Sequence, residues 1–136
     1  MNSEIQKYIS QLNEAQQLPV LQKDGPMIVI AGAGSGKTRV LTVRIANLMS
    51  QGVDAFNILA LTFTNKAARE MKKRIADIVG SNEAKNLWMG TFHSVFAKIL
   101  RIESEKLGYP SNFTIYDTQD SDRLIASIIK ELNLDK

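Results

Sequence analysis

The chain has 136 residues, of which 44% are hydrophobic and 23% charged, with a formal net charge of +3 and no cysteine. These values predict one compact domain over residues 1–136, and the lack of cysteine excludes a disulfide framework and a thiolate metal site. The N-terminus lacks a secretion-signal pattern, and no apolar run approaches the roughly 18 residues of a membrane span. We therefore predict a cytoplasmic protein without a membrane partner, whose positive charge favours an anionic ligand.

Two short helices are predicted at the start of the chain. Apolar residues recur at helical spacing behind Ser3, namely Ile5, Tyr8, Ile9 and Leu12. Asn13 then resembles the N-cap of a second helix, with Gln16 in the capping-box position three residues later. Pro19 removes an amide and crowds the preceding turn, so this second helix should bend or stop early.

Short apolar runs alternate with helical patterns over the rest of the chain. The runs predict buried strands at Met27–Ala31, Ile58–Phe63 and Leu87–Met89, with a fourth candidate at Phe113–Tyr116. Helices are predicted at about Thr38–Ser50, Lys66–Val79 and Ser94–Lys106, and in a last segment that carries Leu124, Ile125, Ile128, Ile129 and Leu132. This order predicts an α/β fold with a parallel sheet and helices on both faces.

The most specific motif is AGAGSGKT, Ala31 to Thr38, where the first predicted strand gives way to a helix. Glycines at 32, 34 and 36 allow backbone amides to curl around an anion, and the helix start adds the positive end of its dipole. Lys37 would neutralise nucleotide phosphates, and the hydroxyl of Thr38 would coordinate Mg²⁺. The strict GxxxxGK[ST] pattern has glycine where Ala31 stands. The alternative is a glycine-rich turn with an accidental lysine.

Four segments resemble, in order and spacing, the early motifs of UvrD/Rep/PcrA-like superfamily 1 helicases. They are LNEAQ (Leu12–Gln16), AGAGSGKTRVL (Ala31–Leu41), LTFTNKAAREM (Leu61–Met71) and GTFHS (Gly90–Ser94). The resemblance implies the N-terminal portion of domain 1A, a fragment of a three-layer RecA-like P-loop NTPase. The parent would be an ATP-dependent DNA helicase that moves 3′ to 5′ on single-stranded DNA.

ATP and Mg²⁺ are the cofactors that this resemblance implies. Lys37 and Thr38 would act in catalysis, Thr38 would hold the metal, and the nucleotide would contact Ala33, Gly34, Ser35, Gly36, Lys37, Thr38 and Arg39. The resemblance also implies that Gln16 reads adenine, although helix capping competes for the same amide. Pro19 stands where the family commonly has alanine, which affects the placement of Gln16.

The two later motifs imply contacts with single-stranded DNA. Phe63 would stack on a base, a sequence-independent contact worth roughly 1–3 kcal/mol, while Thr64 and Asn65 would bond phosphates. Thr91 and His93 would also contact the DNA backbone. The alternatives are a structural role for His93 and N-capping of the next helix by Thr91 or Ser94.

The helix after Phe63 has a basic outer face, which by itself is usually only solvated charge. Its basic residues flank a single acid, Glu70, and they are Lys66, Arg69, Lys72, Lys73 and Arg74. Its predicted buried stripe consists of Ala68, Met71, Ile75 and Ile78. The neighbouring motif favours DNA contact over solvation alone.

Hydrolysis by such motors needs an apolar strand that ends in Asp-Glu. The nearest match is FTIYDTQD, where Thr118 follows Asp117, so we predict that Asp117 or Thr118 caps a helix instead. We therefore expect a chain truncated before the Asp-Glu motif and missing the remaining helicase domains, unable to hydrolyse ATP or unwind DNA. A small-molecule P-loop kinase and a stand-alone nucleotide-binding module are the alternatives.

Overall fold

The computed structural model describes residues 2–134 and is rich in helices. Its helices are α1 (Asn2–Ser10), α2 (Glu14–Leu21), α3 (Lys37–Ser50), α4 (Asn65–Val79), α5 (Ser81–Lys85), α6 (Phe92–Glu103) and α7 (Thr118–Glu131). Its strands are β1 (Leu59–Thr62) and β2 (Trp88–Thr91), and single 3₁₀ turns occupy Ala55–Asn57 and Ser104–Leu107. The chain divides into two compact units, Met1–Phe96 and Ala97–Lys136. Across residues 2–134, no helix combines the length and apolar character needed to cross a bilayer.

The two strands form a parallel pair joined through α4 and α5. Leu59 pairs with Trp88 and Thr62 with Thr91, so both strands end at the same edge of the sheet. Helix α4 packs against both strands. A parallel pair with a helical connection confirms the predicted α/β character in this part of the chain.

Helix α3 is shared by two apolar clusters in the first unit. Ile45 and Met49 lie in a cluster with sheet and α4 residues, which also includes Ala60, Met71 and Ile75. Val40, Val43 and Ala46 lie in a second cluster with residues of the first two helices and of the turn between them, namely Ile5, Ile9, Leu12 and Val20. The predicted stripe of α4 is confirmed, because Met71 and Ile75 are buried while Ala68 and Ile78 are partly buried.

The predicted strand at Met27–Ala31 is wrong for this structure. The segment has no strand pairing, and Ile28 and Ile30 are 88% and 95% exposed. A strand exists only through hydrogen bonds to a neighbour, and the sheet within residues 2–134 consists of β1 and β2 alone. The candidate strand at Phe113–Tyr116 is wrong for the same reason, since these residues have no regular secondary structure.

The sheet has helices packed on the face that carries Ala60. Ala60 is buried among residues of α3 and α4, whereas the side chain before it, Leu59, is 51% exposed. Successive side chains of a strand point to opposite faces, so the other face of β1 is open at Leu59. The predicted cover of helices on both faces is therefore not confirmed.

Glycine 90 permits the close approach of β2 and α6. A Cβ atom at this position would lie 2.6 Å from the Ser94 Oγ and 2.9 Å from a Val95 methyl carbon. Val95 is the residue that α6 buries. The absence of a side chain at Gly90 thus sets how the helix follows the strand.

The second unit contains the end of α6, a 3₁₀ turn and α7. The Arg101 guanidinium lies 5.7 Å from the centre of the Phe113 ring, a cation–π contact. Asp117 caps α7, because its side chain accepts from the Asp120 amide at 2.8 Å, which confirms the predicted cap. Helix α7 buries none of its side chains within the described structure.

Replacing Ile75 and Ile30 separately by alanine should distinguish the core from the exposed segment. Ile75 is fully buried and Ile30 is 95% exposed. We expect Ile75→Ala to lower the free energy of unfolding by about 2–5 kcal/mol because it leaves a cavity. Ile30→Ala should change it by no more than about 0.5 kcal/mol. Urea unfolding followed by the fluorescence of the single tryptophan measures both, and equal losses would place Ile30 in a packed sheet.

Candidate functional site

The glycine-rich loop between Ala31 and Lys37 is curled. The amide of Ser35 donates to the Gly32 carbonyl at 3.3 Å, and the Ser35 hydroxyl donates to the same oxygen at 2.7 Å. Gly36 has a φ of +84°, a backbone conformation that residues with a side chain rarely adopt. These features close the loop directly before α3.

The first turn of α3 offers backbone amides to a ligand. The first intrahelical bond runs from the Val40 amide to the Gly36 carbonyl at 3.0 Å, so the amides of residues 37–39 precede the helical ladder. No side chain caps this end, since Gly36 occupies the N-cap position. Unpaired amides and the positive end of the helix dipole together suit an anion.

Lys37 folds back over the loop. Its Nζ donates to the Ala31 carbonyl at 2.9 Å and to the Gly32 carbonyl at 2.6 Å. An ammonium group carries three N–H donors, so one is left for a further acceptor. Lys37 therefore places a positive charge over the loop, next to the free backbone amides at the start of α3.

Gln16 connects α2 to this loop. Its side-chain oxygen Oε1 accepts from the Asn13 backbone amide at 3.2 Å, and its backbone amide donates to the Asn13 side-chain oxygen at 2.9 Å. The predicted capping box is thus confirmed. The Nε2 atom donates to the Ser35 carbonyl at 3.0 Å and lies 2.9 Å from where a Gly36 Cβ would be. The capping box uses only the side-chain oxygen of Gln16, so its side-chain nitrogen Nε2 can bond the loop.

The C-terminal end of α2 is fixed to α3. Asn47, which is buried, donates to the Val20 carbonyl at 3.0 Å. The Arg44 guanidinium donates to the Pro19 and Gln22 carbonyls. Helix α2 includes Pro19 and ends at Leu21. Two side chains of α3, Arg44 and Asn47, bond the carbonyls at this end. Periodicity did not single out Arg44 or Asn47.

The two residues after Lys37 face different surroundings. Thr38 is exposed in the first turn of α3. The Arg39 guanidinium donates to the Gln11 side chain at 2.6 Å, beside a cavity of about 280 Å³ that Tyr8 and Arg74 also line. Arg39 is therefore directed towards α1 in this structure.

A second cavity, of about 330 Å³, borders Lys37. Its lining is apolar apart from Lys37 and Arg44, and includes Pro19, Met27, Val29, Val40 and Leu41. Since the guanidinium of Arg44 already bonds two carbonyls, this cavity has few donors for a phosphate. Among residues 2–134 no group of three or more His, Cys, Asp or Glu side chains is arranged to hold a metal.

The C-terminal end of β1 presents an aromatic ring to solvent. Phe63 is 91% exposed, and Asn65 begins α4. Thr64 is the N-cap of α4, because its hydroxyl accepts from the Ala67 amide at 3.2 Å. Five basic side chains on α4 are exposed, and one of them, Arg74, forms an ion pair with Glu70.

The C-terminal end of β2 combines a buried threonine with an exposed histidine. Thr91 is 9% exposed, and its hydroxyl donates to the Ser94 Oγ at 3.0 Å and accepts from the Ser94 amide at 3.2 Å. The capping alternative for Thr91 is thus the one observed. His93 is exposed.

Sequence reasoning missed an aromatic pair beside His93. The rings of Phe92 and Phe96 are stacked, with centroids 6.4 Å apart and an angle of 27° between their planes. Both are about half exposed, at 49% and 46%. Their spacing of four residues is the signal that would have placed them together on a helix.

Comparison with known proteins gives consistent matches. The family model described as the UvrD/REP helicase N-terminal domain matches residues 12–136. The ATP-dependent DNA helicase PcrA of Bacillus subtilis (strain 168) is 52% identical over 136 residues, which cover 99% of this chain and 18% of that relative. PcrA of Staphylococcus aureus (strain Mu50 / ATCC 700699) is 47% identical over 128 residues, covering 93% and 17% respectively. The chain therefore spans less than a fifth of these relatives.

Replacing Thr64 tests whether its hydroxyl is needed for the fold. Thr64→Ala should lower the free energy of unfolding by about 1 kcal/mol because α4 loses its N-cap bond. Thr64→Ser keeps a hydroxyl at the same position and should retain most of the stability. Urea unfolding of both variants is the measurement. Equal stability of the alanine and serine variants would contradict a capping role.

Proposed function

Because the chain belongs to the UvrD/REP helicase N-terminal domain family, we propose that it is the ATP- and single-stranded-DNA-binding part of an ATP-dependent 3′–5′ DNA helicase. The observation that carries this proposal is the curled loop, with Lys37 folded over it and free amides at the start of α3. The relatives are named as ATP-dependent DNA helicases, which supports the same activity for the parent protein. The alternative of a small-molecule kinase has no comparable support.

The loop and the first turn of α3 would bind the nucleotide phosphates. Backbone amides between Ala33 and Arg39, apart from that of Ser35, which donates to the Gly32 carbonyl, would donate to phosphate oxygens. The third N–H of Lys37 would reach the same anion. The exposed hydroxyl of Thr38 suits Mg²⁺, which commonly takes few protein ligands and completes its shell with phosphate oxygens and water. A bound Mg²⁺ would neutralise charge that develops on the phosphates.

Gln16 would read adenine only after a change of partner. Its Nε2 donates to the Ser35 carbonyl and its Oε1 accepts from the Asn13 amide. An adenine edge needs both a donor and an acceptor from one side-chain amide. Adenine recognition therefore exchanges these internal bonds for bonds to the base. Arg39 would likewise leave Gln11 to contact nucleotide.

The fold of the complete domain is part of the same proposal. The segment Met27–Ala31 exposes Ile28 and Ile30, and the face of β1 at Leu59 is open. Large exposed aliphatic side chains in a row favour burial in a larger assembly. A three-layer RecA-like fold of the complete domain, with further elements covering these side chains, accounts for both features.

Single-stranded DNA would lie over the ends of β1 and β2. Phe63 offers a ring for stacking, while Asn65 and His93 are exposed for phosphate contacts. The hydroxyls of Thr64 and Thr91 cap the following helices, so these residues would act chiefly by presenting helix N-termini to phosphates. The basic face of α4 adds electrostatic attraction.

The chain by itself would bind nucleotide without turning it over. Hydrolysis requires carboxylates for Mg²⁺ and for water, and the printed sequence contains no Asp-Glu pair. Asp117, the nearest match, is engaged in capping α7. The rest of domain 1A would supply the catalytic carboxylates, and the remaining helicase domains would complete the ATP cleft.

Removing the charge of Lys37 should weaken nucleotide binding. We expect Lys37→Ala to reduce the affinity for MgADP by at least about tenfold, because it loses a charge-assisted bond to phosphate. Isothermal titration calorimetry measures the affinity. Lys85→Ala, which removes an exposed lysine from α5, is the matched control and should bind as wild type does. Equal affinities of the Lys37 and Lys85 variants would remove the nucleotide-site proposal.

Changing the end of β1 and the face of α4 should weaken DNA binding. The triple variant Phe63→Ala, Lys72→Glu, Lys73→Glu should lose affinity for single-stranded oligothymidylate by at least about tenfold, through lost stacking and charge. Its affinity should also depend less steeply on salt. Fluorescence anisotropy at several salt concentrations measures both, and a Lys85→Glu control should change little. Unchanged affinity in the triple variant would remove the DNA proposal.

A further inference from the structure

The ends of β1 and β2 bring two aromatic residues to equivalent positions. Thr62 pairs with Thr91 in the parallel register, and Phe63 and Phe92 follow these two residues directly. Neighbouring strands lie about 4.8 Å apart, so the backbones at the two phenylalanines leave the sheet side by side. Phe63 is 91% exposed and Phe92 is 49% exposed.

The Phe92 ring contacts a second aromatic ring and belongs to neither of the two buried clusters. Phe92 and Phe96 stack on successive turns of α6, with 6.4 Å between their centroids. The side chain that α6 buries is Val95, next to Gly90 of β2. The aromatic pair therefore lies outside the apolar packing that fixes the helix, with ring surface available to a ligand.

The surroundings of the pair identify the chemistry of that ligand. His93 is exposed beside Phe92, and Lys66 is exposed in the first turn of α4, directly after the β1 end. Helix α4 carries five basic residues against two acids, Glu70 and Asp77. A partner that fits must combine flat rings with negative charge. The bases and phosphates of single-stranded nucleic acid have both properties.

We propose that Phe92, supported by Phe96, is a second base-stacking position next to Phe63. The ends of the two strands then hold two bases of one nucleic-acid strand, while α4 attracts its phosphates. This inference rests on the proposed DNA-binding function. It adds a residue to the site and explains why exposed aromatic rings follow both members of the strand pair.

Binding of fluorescein-labelled oligothymidylate to the chain tests this proposal. Phe92→Leu keeps apolar volume but removes the aromatic face, so we expect about tenfold weaker binding. Phe92→Tyr keeps the ring and should bind as wild type does. Phe56→Leu is the matched control, because Phe56 is 59% exposed in the turn before β1, at the opposite end of that strand. It should not change the affinity.

An abasic oligonucleotide separates stacking from phosphate contacts. Wild type and Phe92→Leu should bind it equally, because it keeps the phosphates but has no bases. Circular dichroism melting shows whether each variant is folded. If Phe92→Leu does not fold, the test of the ring is made with Phe92→Tyr. If Phe92→Tyr binds oligothymidylate as weakly as Phe92→Leu does, the stacking role of Phe92 is overturned.

The remaining outcomes distinguish the two proposals. If Phe63→Ala weakens binding and Phe92→Leu does not, the second stacking position is wrong while the DNA-binding proposal stands. If wild type does not bind oligothymidylate, both are wrong. If Phe92→Leu keeps its DNA affinity but abolishes self-association in sedimentation, the aromatic pair is a protein contact and the stacking proposal is overturned.

Discussion

The shape of the glycine-rich loop depends on hydrogen bonds to its carbonyl oxygens. Lys37 bonds the carbonyls of Ala31 and Gly32, and Gln16 bonds that of Ser35. With these acceptors occupied by the protein, the amides at the start of α3 remain for an external anion. The same bonds link α2, the loop and α3, so any ligand that recruits Gln16 or Lys37 also acts on the conformation of the loop.

Helix α3 connects the glycine-rich loop to both apolar clusters of the first unit. It contributes Val43 to one apolar cluster and Ile45 to the other, and its Asn47 fixes the end of α2. A buried amide that bonds a backbone carbonyl is directional, whereas apolar contacts alone permit sliding. Asn47 therefore defines the position of the helix that carries Gln16. Helix α3 therefore holds the loop directly through Lys37 and indirectly, through α2, at Ser35.

Local features of the fold were predictable from the sequence, and long-range pairing was not. The capping box of Asn13 and Gln16 and the cap at Asp117 depend on residues within one turn, and both were predicted correctly. The strand predicted at Met27–Ala31 depends on a partner elsewhere, and the described chain pairs only β1 with β2. An apolar run indicates that a segment favours burial, but it does not indicate which residues bury it. The pair of Phe92 and Phe96 was not predicted, because a spacing of four residues brings two rings together only once the segment is known to be helical from Phe92.

The caps at the ends of the two strands remove an apparent conflict between the structure and the proposed DNA binding. Thr64 and Thr91 use their hydroxyls on backbone amides of the following turns, which leaves less capacity for a phosphate. A capped helix start is nevertheless an ordered set of N–H groups with a positive dipole end. Capping residues thus fix the direction of α4 and α6, and with them the positions of Phe63, Asn65, Phe92 and His93. The threonines need not touch DNA to determine where the residues of the proposed DNA site lie.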